Sequence, residues 1–334
     1  MSHSNISIFI PHIGCPNKCS FCNQNSITGQ CDAPAPYEVK AICKKAFADI
    51  KDKKNTEIAF FGGSFTAIDR QYMLDLLECV QEFIGADKFK GIRISTRPDC
   101  INEEVLNILK KYNVTSIELG AQSMDDNVLF ENDRGHTSDD VRNASQLIKA
   151  FGFELGLQMM IGLYKSTPEK DLNTASEIIK IKPDTVRIYP VVILEDTRLG
   201  ELYKKGEYKS YELDTAVDIC SQMIEMFNSA DIRIIKLGLH ASELVEDQML
   251  GGIYHPAFRE LCDNKIFFNK LITQTQENKI YKVYVSSSSL SKAIGQKRHN
   301  LTELERLGRK VKILPDAMLM DYDVKIIEEE TACT

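Results

Sequence analysis

The 334-residue chain contains no apolar run approaching the roughly 20 residues that a bilayer-spanning helix needs, so no membrane partner is expected. Its opening stretch, "MSHSNISIFIPH", lacks a basic segment followed by a long apolar one. No secretory leader is therefore expected, and a cytoplasmic setting follows. That setting argues against a disulfide framework for the ten cysteines and for metal or redox chemistry. There is no internal repeat and no low-complexity tract, which sets aside a repeat array. What is present is a hydrophobic fraction of 43%, able to bury a sizeable core. The length suits two domains, or one large α/β domain with an appendage.

The net charge of −7 is unevenly spread. Residues 266–314 carry ten Lys/Arg against three Asp/Glu, a balance of +7, and residues 315–334 carry −5. A short basic segment on an acidic chain points to an anionic partner, unless it is only a solvated helical face.

Short β-branched and aromatic runs lie at 6–10, 57–62, 91–95, 116–120, 154–162, 185–190 and 232–238. Helical patterns separate them at 36–53, 69–84, 102–112, 138–151, 168–181 and 211–230, with Asn102 and Ser138 as capping residues. Strands alternating with helices mean βαβ units and a parallel sheet, here a partial (βα)6-type TIM-like barrel. Such barrels carry their functional groups at the C-terminal strand ends. The unusual residues fall there: the cysteines after the first strand, Gly62-Gly63-Ser64 after the second, "STRPD" after the third and "GAQS" after the fourth. After Gly238 the rhythm breaks, and "LGGIYHPAFREL" (250–261) reads as a loop entering a short helix. The expected division is a barrel over 1–262, a small α+β domain over 266–320 and an acidic, frayed tail over 321–334.

"PHIGCPNKCSFCNQ" sets Cys15, Cys19 and Cys22 close enough in one loop to share one metal centre. With His12 as a fourth ligand, the set suits a Cys3His zinc site. Alternatively, three thiolates bind three irons of a 4Fe-4S cube and leave the fourth iron open. Cys31, Cys43, Cys79, Cys100, Cys220, Cys262 and Cys333 show no second paired spacing and are not expected to be ligands.

The C-x3-C-x-aromatic-C spacing, with Phe21 as the aromatic, resembles the signature of the radical S-adenosylmethionine enzymes. The resemblance implies a 4Fe-4S cluster on the three cysteines, with S-adenosylmethionine chelating the open iron. Reductive cleavage of the sulfonium then releases a 5′-deoxyadenosyl radical, with electrons from a donor such as a flavodoxin or ferredoxin. It also implies roles for other residues. Gly62, Gly63 and Ser64 match the glycine motif beside the methionyl amino group. Gln122 and Arg134 match a pair that contacts the methionyl carboxylate. Ser95, Thr96 and Arg97 stand near the ribose contact, without the usual Glu, and Gln158 stands where the fifth strand flanks adenine.

The stretches "FFGGSFTAID", "ISTRPD", "LGAQSMDD", "NDRGHT" and "IYHPAFREL" together resemble the radical domain of the Elongator catalytic subunit and its short bacterial relatives, over about residues 5–262. That family implies RNA, usually tRNA, as substrate, with the wobble uridine modified by carbon–carbon bond formation. Its full members end in an acetyltransferase-like domain. Fewer than about eighty residues follow "HPAFREL" here, too few for such a domain, and they contain no acetyl-CoA loop.

Residues 280–314 read strand, turn, helix, turn, helix, strand and resemble a KH RNA-binding core. The KH loop is G-x-x-G; here it is Gly295-Gln296-Lys297-Arg298, with Arg in place of the second Gly and Lys292 nearby. The loop charges suit phosphates. The alternative is a small cap. Two further readings stand beside the RNA-modifying enzyme: a zinc-containing RNA-binding protein without radical chemistry, and a radical enzyme acting on a small molecule or protein.

Overall fold

The structure, a computed structural model, describes residues 4–11, 15, 18–23, 33–239 and 247–329. The chain divides into two compact units, Met1–Tyr211 with Phe227–Tyr254, and Glu212–Met226 with His255–Thr334.

In the first unit, strands β1 (Ser4–Ile10), β2 (Thr56–Gly62), β3 (Gly91–Thr96), β4 (Val114–Gln122), β5 (Glu154–Ile161) and β6 (Thr185–Pro190) lie side by side in sequence order. A short β7 (Val192–Leu194) follows, and β8 (Arg233–Leu237) then completes a seven-stranded parallel sheet. All seven expected strand runs thus lie in this sheet, and β9 (Met249–Gly252) pairs with β7 inside the stretch expected to be a loop. The sheet is curled. Four inter-strand steps of a flat sheet separate β2 from β6 by roughly 19 Å. Yet the Arg187 guanidinium of β6 stands 5.1 Å from the Phe61 ring of β2.

The two faces differ in kind. Ile58, Phe60, Ile92, Ile94, Ile117 and Leu119 are fully buried on the convex side, against Met73, Leu76, Leu106 and Ile148 of the crossover helices. Each such burial stabilises the unit by about 1.5–3 kcal/mol. The concave side is polar. The crossover helices are α1 (Pro36–Asp49), α2 (Arg70–Cys79), α3 (Glu103–Lys111), a short α4 (Asp126–Glu131), α5 (Ser138–Ala150) and α6 (Pro168–Ile181). Asn102 caps α3 as expected, its side chain accepting from Val105 N at 2.9 Å. Ser138 does not cap α5. Thr137 does, in a reciprocal box with Asp140, and Ser138 N–H donates instead to Asp126 at 2.7 Å. After α7 (Arg198–Lys204), helix α8 (Leu213–Ser229) contributes residues to both units.

The second unit is built on α9 (Phe258–Gln274) and a three-stranded sheet ordered β11-β10-β12, from β10 (Ile280–Val285), β11 (Lys310–Pro315) and β12 (Val324–Glu329). Two short helices, α10 (Leu290–Ile294) and α11 (His299–Arg306), join β10 to its parallel neighbour β11. Tyr281, Val283 and Val285 alternate inward on β10 and pack with Phe267, Leu271, Ala293 and Leu304. The order of elements expected over 280–314 is therefore present. Two boundaries differ. The expected break between 262 and 266 falls inside α9, and the expected acidic tail holds β12, antiparallel to β10. Its carboxylates are there for a reason: Glu328 pairs with Lys279 at 2.9 Å, and Glu329 pairs with Lys282.

Candidate functional site

The loop after β1 is anchored by residues from distant elements. Ser20 N–H donates to the Asn132 carbonyl at 3.1 Å, Ser20 Oγ donates to Asn132 Oδ1 at 2.8 Å, and Leu199 N–H donates to the Ser20 carbonyl at 2.8 Å. Phe21 packs on an apolar cluster that includes Val128, Val191 and Leu199. So the aromatic of the cysteine spacing holds the loop down. His12, Cys31 and Cys333 lie outside the described residues.

Cys15, Cys19 and Cys22 face a common space. Burial pushes the Cys22 thiol up to about 12, and the Cys19 and Cys15 sulfurs add to the rise. Burial also raises Cys15, opposed by the Ser64 backbone hydrogen bond to its sulfur and by the Arg134 and Arg97 charges. Three thiolates so placed need a compensating cation, and metal binding must displace their protons. Among the described residues, no three His, Cys, Asp or Glu side chains are spaced to hold a single metal ion.

Gly62 is required by this geometry. Its φ is +117°, and a Cβ there would stand 2.3 Å from the Ile10 carbonyl oxygen. That close approach lets Gly63 N–H donate to Ile10 O at 2.9 Å and turns Ser64 toward Cys15. Ser64 Oγ also bonds Thr96 Oγ1 at 2.8 Å and accepts from Arg97 N–H at 3.2 Å. The Thr96 hydroxyl is further held by Thr66 at 2.6 Å, so it is engaged structurally. Arg97 forks onto Asp99 at 2.9 and 2.8 Å and donates to the Arg134 carbonyl.

Arg134 lies between two residues of left-handed backbone, Asp133 (φ 55°) and Gly135 (φ 67°). Its guanidinium donates to Cys19 Sγ at 3.0 Å and to the Gly120 carbonyl at 2.6 Å. Gln122 also has left-handed backbone (φ 65°), at a register shift between β4 and β5. Beside them His136 is buried, with Nε2 3.2 Å from the Ala121 carbonyl. Burial and the Arg134 and Arg97 charges lower its pKa to about 4. Four buried polar atoms here have no hydrogen-bond partner among the described residues: Arg97 Nη1, Gln122 Oε1, Arg134 Nε and His136 Nδ1. Buried polar atoms are normally satisfied, so this concentration marks a place built for a polar ligand.

Deeper on the concave face lies an ionic network that sequence reading missed. Arg93, fully buried, donates to Glu57 at 2.8 Å, Glu118 at 3.1 Å and Glu154 at 2.7 Å. Burial alone would push Glu154 up, but Arg93 and Lys90 hold it at about 2. Glu118 also receives a fork from Arg187 at 2.6 and 2.9 Å, and the Gln158 amide at 3.0 Å. The signal was present: single charges inside "GIRIS", "SIELG" and "TVRIYP", at positions that period two places on one face.

In the second unit, Gly295 (φ +82°), Lys297 (φ 50°) and Arg298 (φ 63°) form a tight turn between α10 and α11, with Gly295 buried. A Cβ at Gly295 would lie 2.8 Å from Asn300 N. Gln296, Lys297 and Arg298 are exposed, and neither cation forms an ion pair among the described residues. Lys292 points elsewhere, 3.5 Å from Asp263 and over the Tyr322 ring. The basic segment is also less basic in place. The four acids of 212–226 and the six after 314 bring this unit to a net formal charge of −2.

Residues 9–178 match the family model for the Radical SAM superfamily, and residues 183–267 match the Radical_SAM C-terminal domain. A tRNA uridine(34) acetyltransferase of Methanocaldococcus jannaschii is 33% identical over 185 residues, 49% of this chain and 34% of that protein. Elongator complex protein 3 of Saccharomyces cerevisiae is 29% identical over 190 residues, 51% of this chain and 34% of that protein. The chain thus spans about a third of the length of these curated relatives. Among solved structures, the archaeal Methanocaldococcus infernus Elp3 with an N-terminal deletion superposes with a TM-score of 0.56 at 24% identity, over 74% of this chain and 62% of that one. That likeness shows the partial barrel fold. No helix of the described residues is long and apolar enough to cross a membrane.

Proposed function

The chain belongs to the Radical SAM superfamily, and from that premise we propose that it is a cytoplasmic radical enzyme that modifies RNA, with tRNA as the substrate class. Cys15, Cys19 and Cys22 would hold a 4Fe-4S cluster. With S-adenosylmethionine bound, that group supplies reductive cleavage of the sulfonium and a 5′-deoxyadenosyl radical. The observation that carries this reading is the set of unpartnered buried polar atoms on Arg97, Gln122 and Arg134 beside three mutually coupled thiols. An amino-acid cofactor carrying carboxylate, amine and hydroxyl groups would satisfy them.

The chain's own residues do the rest. Arg134 donates toward Cys19 and keeps its Nε for a carboxylate, a role to which a guanidinium is well suited. Gly62 and Gly63 bring backbone close to the cysteine loop, and Ser64 N–H steadies the Cys15 sulfur. Ser95 and Arg97 line the neighbouring strand end. Gln158, whose amide nitrogen donates to Glu118, would flank adenine from β5. Lys297 and Arg298, on the turn whose sequence resembles a KH loop, would engage an RNA backbone. A reductant such as a flavodoxin or ferredoxin would supply the electron.

The RNA reading draws on the named activity of relatives at tRNA uridine, of which this chain matches part. Two measurements test the whole. Anaerobically purified protein is expected to be brown, with iron and sulfide and no stoichiometric zinc. Mass spectrometry of RNA nucleosides from cells with and without the gene is expected to show one modified nucleoside lost on deletion; identical profiles would remove RNA as the substrate.

A further inference from the structure

The second unit covers one face of its sheet and leaves the other bare. β10 turns Tyr281, Val283 and Val285 into the core, and Val311 and Ile313 of β11 and Ile326 of β12 pack beside them. Helices α10 and α11 contribute Ala293 and Leu304 to the same core, so they and the turn between them lie on that side. Side chains alternate along a strand, so the residues in between point away from the core. None of them is buried. They make a surface roughly 10 Å wide across three strands and about 13 Å long.

Positive charge collects on this bare face. β11 sets Lys310 and Lys312 there, β10 sets Lys282 and β12 sets Lys325, against one acid, Glu329. Four lysines and one acid give +3, on a unit whose net formal charge is −2. Acids of the unit are matched on its helices instead: Asp218 and Glu225 of α8 pair with Lys265 and Lys270 of α9 at 2.8 and 3.7 Å. The register puts Lys312 directly opposite Lys282, and like charges so placed destabilise a sheet. Glu329 pairs with Lys282, but Lys310, Lys312 and Lys325 form no ion pair among the described residues. Lysines on an edge strand guard against pairing with another sheet, which would account for β11. It would not account for Lys282, on the central strand. Among these cations stands Tyr284, partly exposed, between Leu314 and Lys325 in the register. Lys325 Nζ lies 6.0 Å from its ring centroid. An outward aromatic among lysines suits single-stranded nucleic acid, because cations track the backbone while the ring stacks on a base. Paired strands keep their bases stacked on one another and offer none to the ring. A protein partner matches less well, since lysine is depleted from protein interfaces.

We propose that this sheet face is an RNA contact separate from the Gly295 turn, in which one base of an unpaired segment stacks on Tyr284 while flanking phosphates meet Lys310, Lys312 and Lys325. Every base has a ring face, so the contact selects unpaired RNA rather than a sequence. It rests on the RNA reading above, and the two fail separately in the test.

The full chain, purified anaerobically, is titrated with labelled oligouridine and with a labelled, unmodified tRNA transcript at several salt concentrations. Tyr284→Ala is expected to weaken oligouridine binding about tenfold with an unchanged melting temperature. Tyr284→Phe is expected to bind as wild type does, because the phenyl ring stacks equally. The triple change Lys310→Gln, Lys312→Gln, Lys325→Gln is expected to reduce the salt slope by about 2, at roughly 0.7 per contact on a single strand. Independently of any variant, oligouridine carrying 4-thiouridine is irradiated with wild type, and a crosslink is expected on the peptide containing Tyr284. Wild-type affinity in Tyr284→Ala, an unchanged salt slope in the lysine variant, or crosslinks confined to the Gly295 turn or the first unit each overturn the sheet contact and leave the RNA reading standing. A wild-type dimer that Tyr284→Ala dissociates assigns the face to a second copy and likewise overturns the contact. A wild type that binds neither RNA overturns the RNA reading itself.

Discussion

The cysteine loop and the Gly295–Arg298 turn are both short, chemistry-bearing segments, but they are held in opposite ways. The cysteine loop depends on residues far away in sequence: Asn132 and Leu199 fix its backbone, Phe21 anchors it in apolar packing, and Arg134 reaches Cys19. The Gly295 turn depends on its own backbone conformation and on Asn300, five residues on. One is a constellation and the other a local fold. Damage to the first should spread across the site, whereas damage to the second should stay where it is made.

The largest effect is expected at the constellation's centre. Cys19→Ala should abolish both stoichiometric iron–sulfide content and 5′-deoxyadenosine formation; full retention of either would defeat the ligand assignment. Next is the buried His136, whose folded pKa of about 4 lies below the usual 6.5. The unfolded chain therefore binds a proton that the folded one refuses. Stability is full above about pH 6.5 and falls as the pH drops toward 4, by roughly 3 kcal/mol at most. Denaturant titrations at pH 7 and pH 5 should show that loss in wild type and a smaller one in His136→Gln.

Arg134→Ala should weaken S-adenosylmethionine binding by about ten- to a hundredfold, the loss of a charged partner worth roughly 1.5–3 kcal/mol. Unchanged affinity in an anaerobic titration would make the arginine a brace for Cys19 alone. The smallest effect belongs to the local turn. The double change Lys297→Ala, Arg298→Ala should lower RNA affinity several-fold and reduce the salt slope by about 2, at roughly 0.9 per phosphate contact. Superimposable titrations at two salt concentrations would leave the unit as a cap. Gly295 is a poor site for that test, since any side chain there meets Asn300 whatever its charge.

Local features of the sequence carried far. The parallel sheet was legible because each strand run is β-branched and each helix amphipathic, so local propensity and tertiary fold agree. The three cysteines were legible because their spacing is local. Arg134 was placed only through a family resemblance, and its contact with Cys19 was not foreseen, because 115 positions separate the two. The ionic network of the concave face was missed for a related reason. A charge inside a strand run looks like a solvent-facing residue until the sheet curls and turns that face inward. β12 was misread as a tail because its acids suggest disorder, whereas Lys279 and Lys282 across the ladder give them partners.

The in-order arrangement of the sheet has a consequence in time. Cys22 and Arg134 stand 112 positions apart, so at ribosomal rates of about 5–20 residues per second the thiols emerge roughly 6–22 s before the arginine that reaches them. Through that interval the three sulfurs are on an edge strand's loop with neither Asn132 nor Leu199 to fix it, and burial has not yet raised the pKa of Cys15 and Cys22. The nascent chain thus passes through a stage of ordinary, reactive thiols before it becomes a shielded site. The three cysteines then span eight residues of unanchored chain, and the loop gains its anchors only when Asn132, Arg134 and Leu199 have been made.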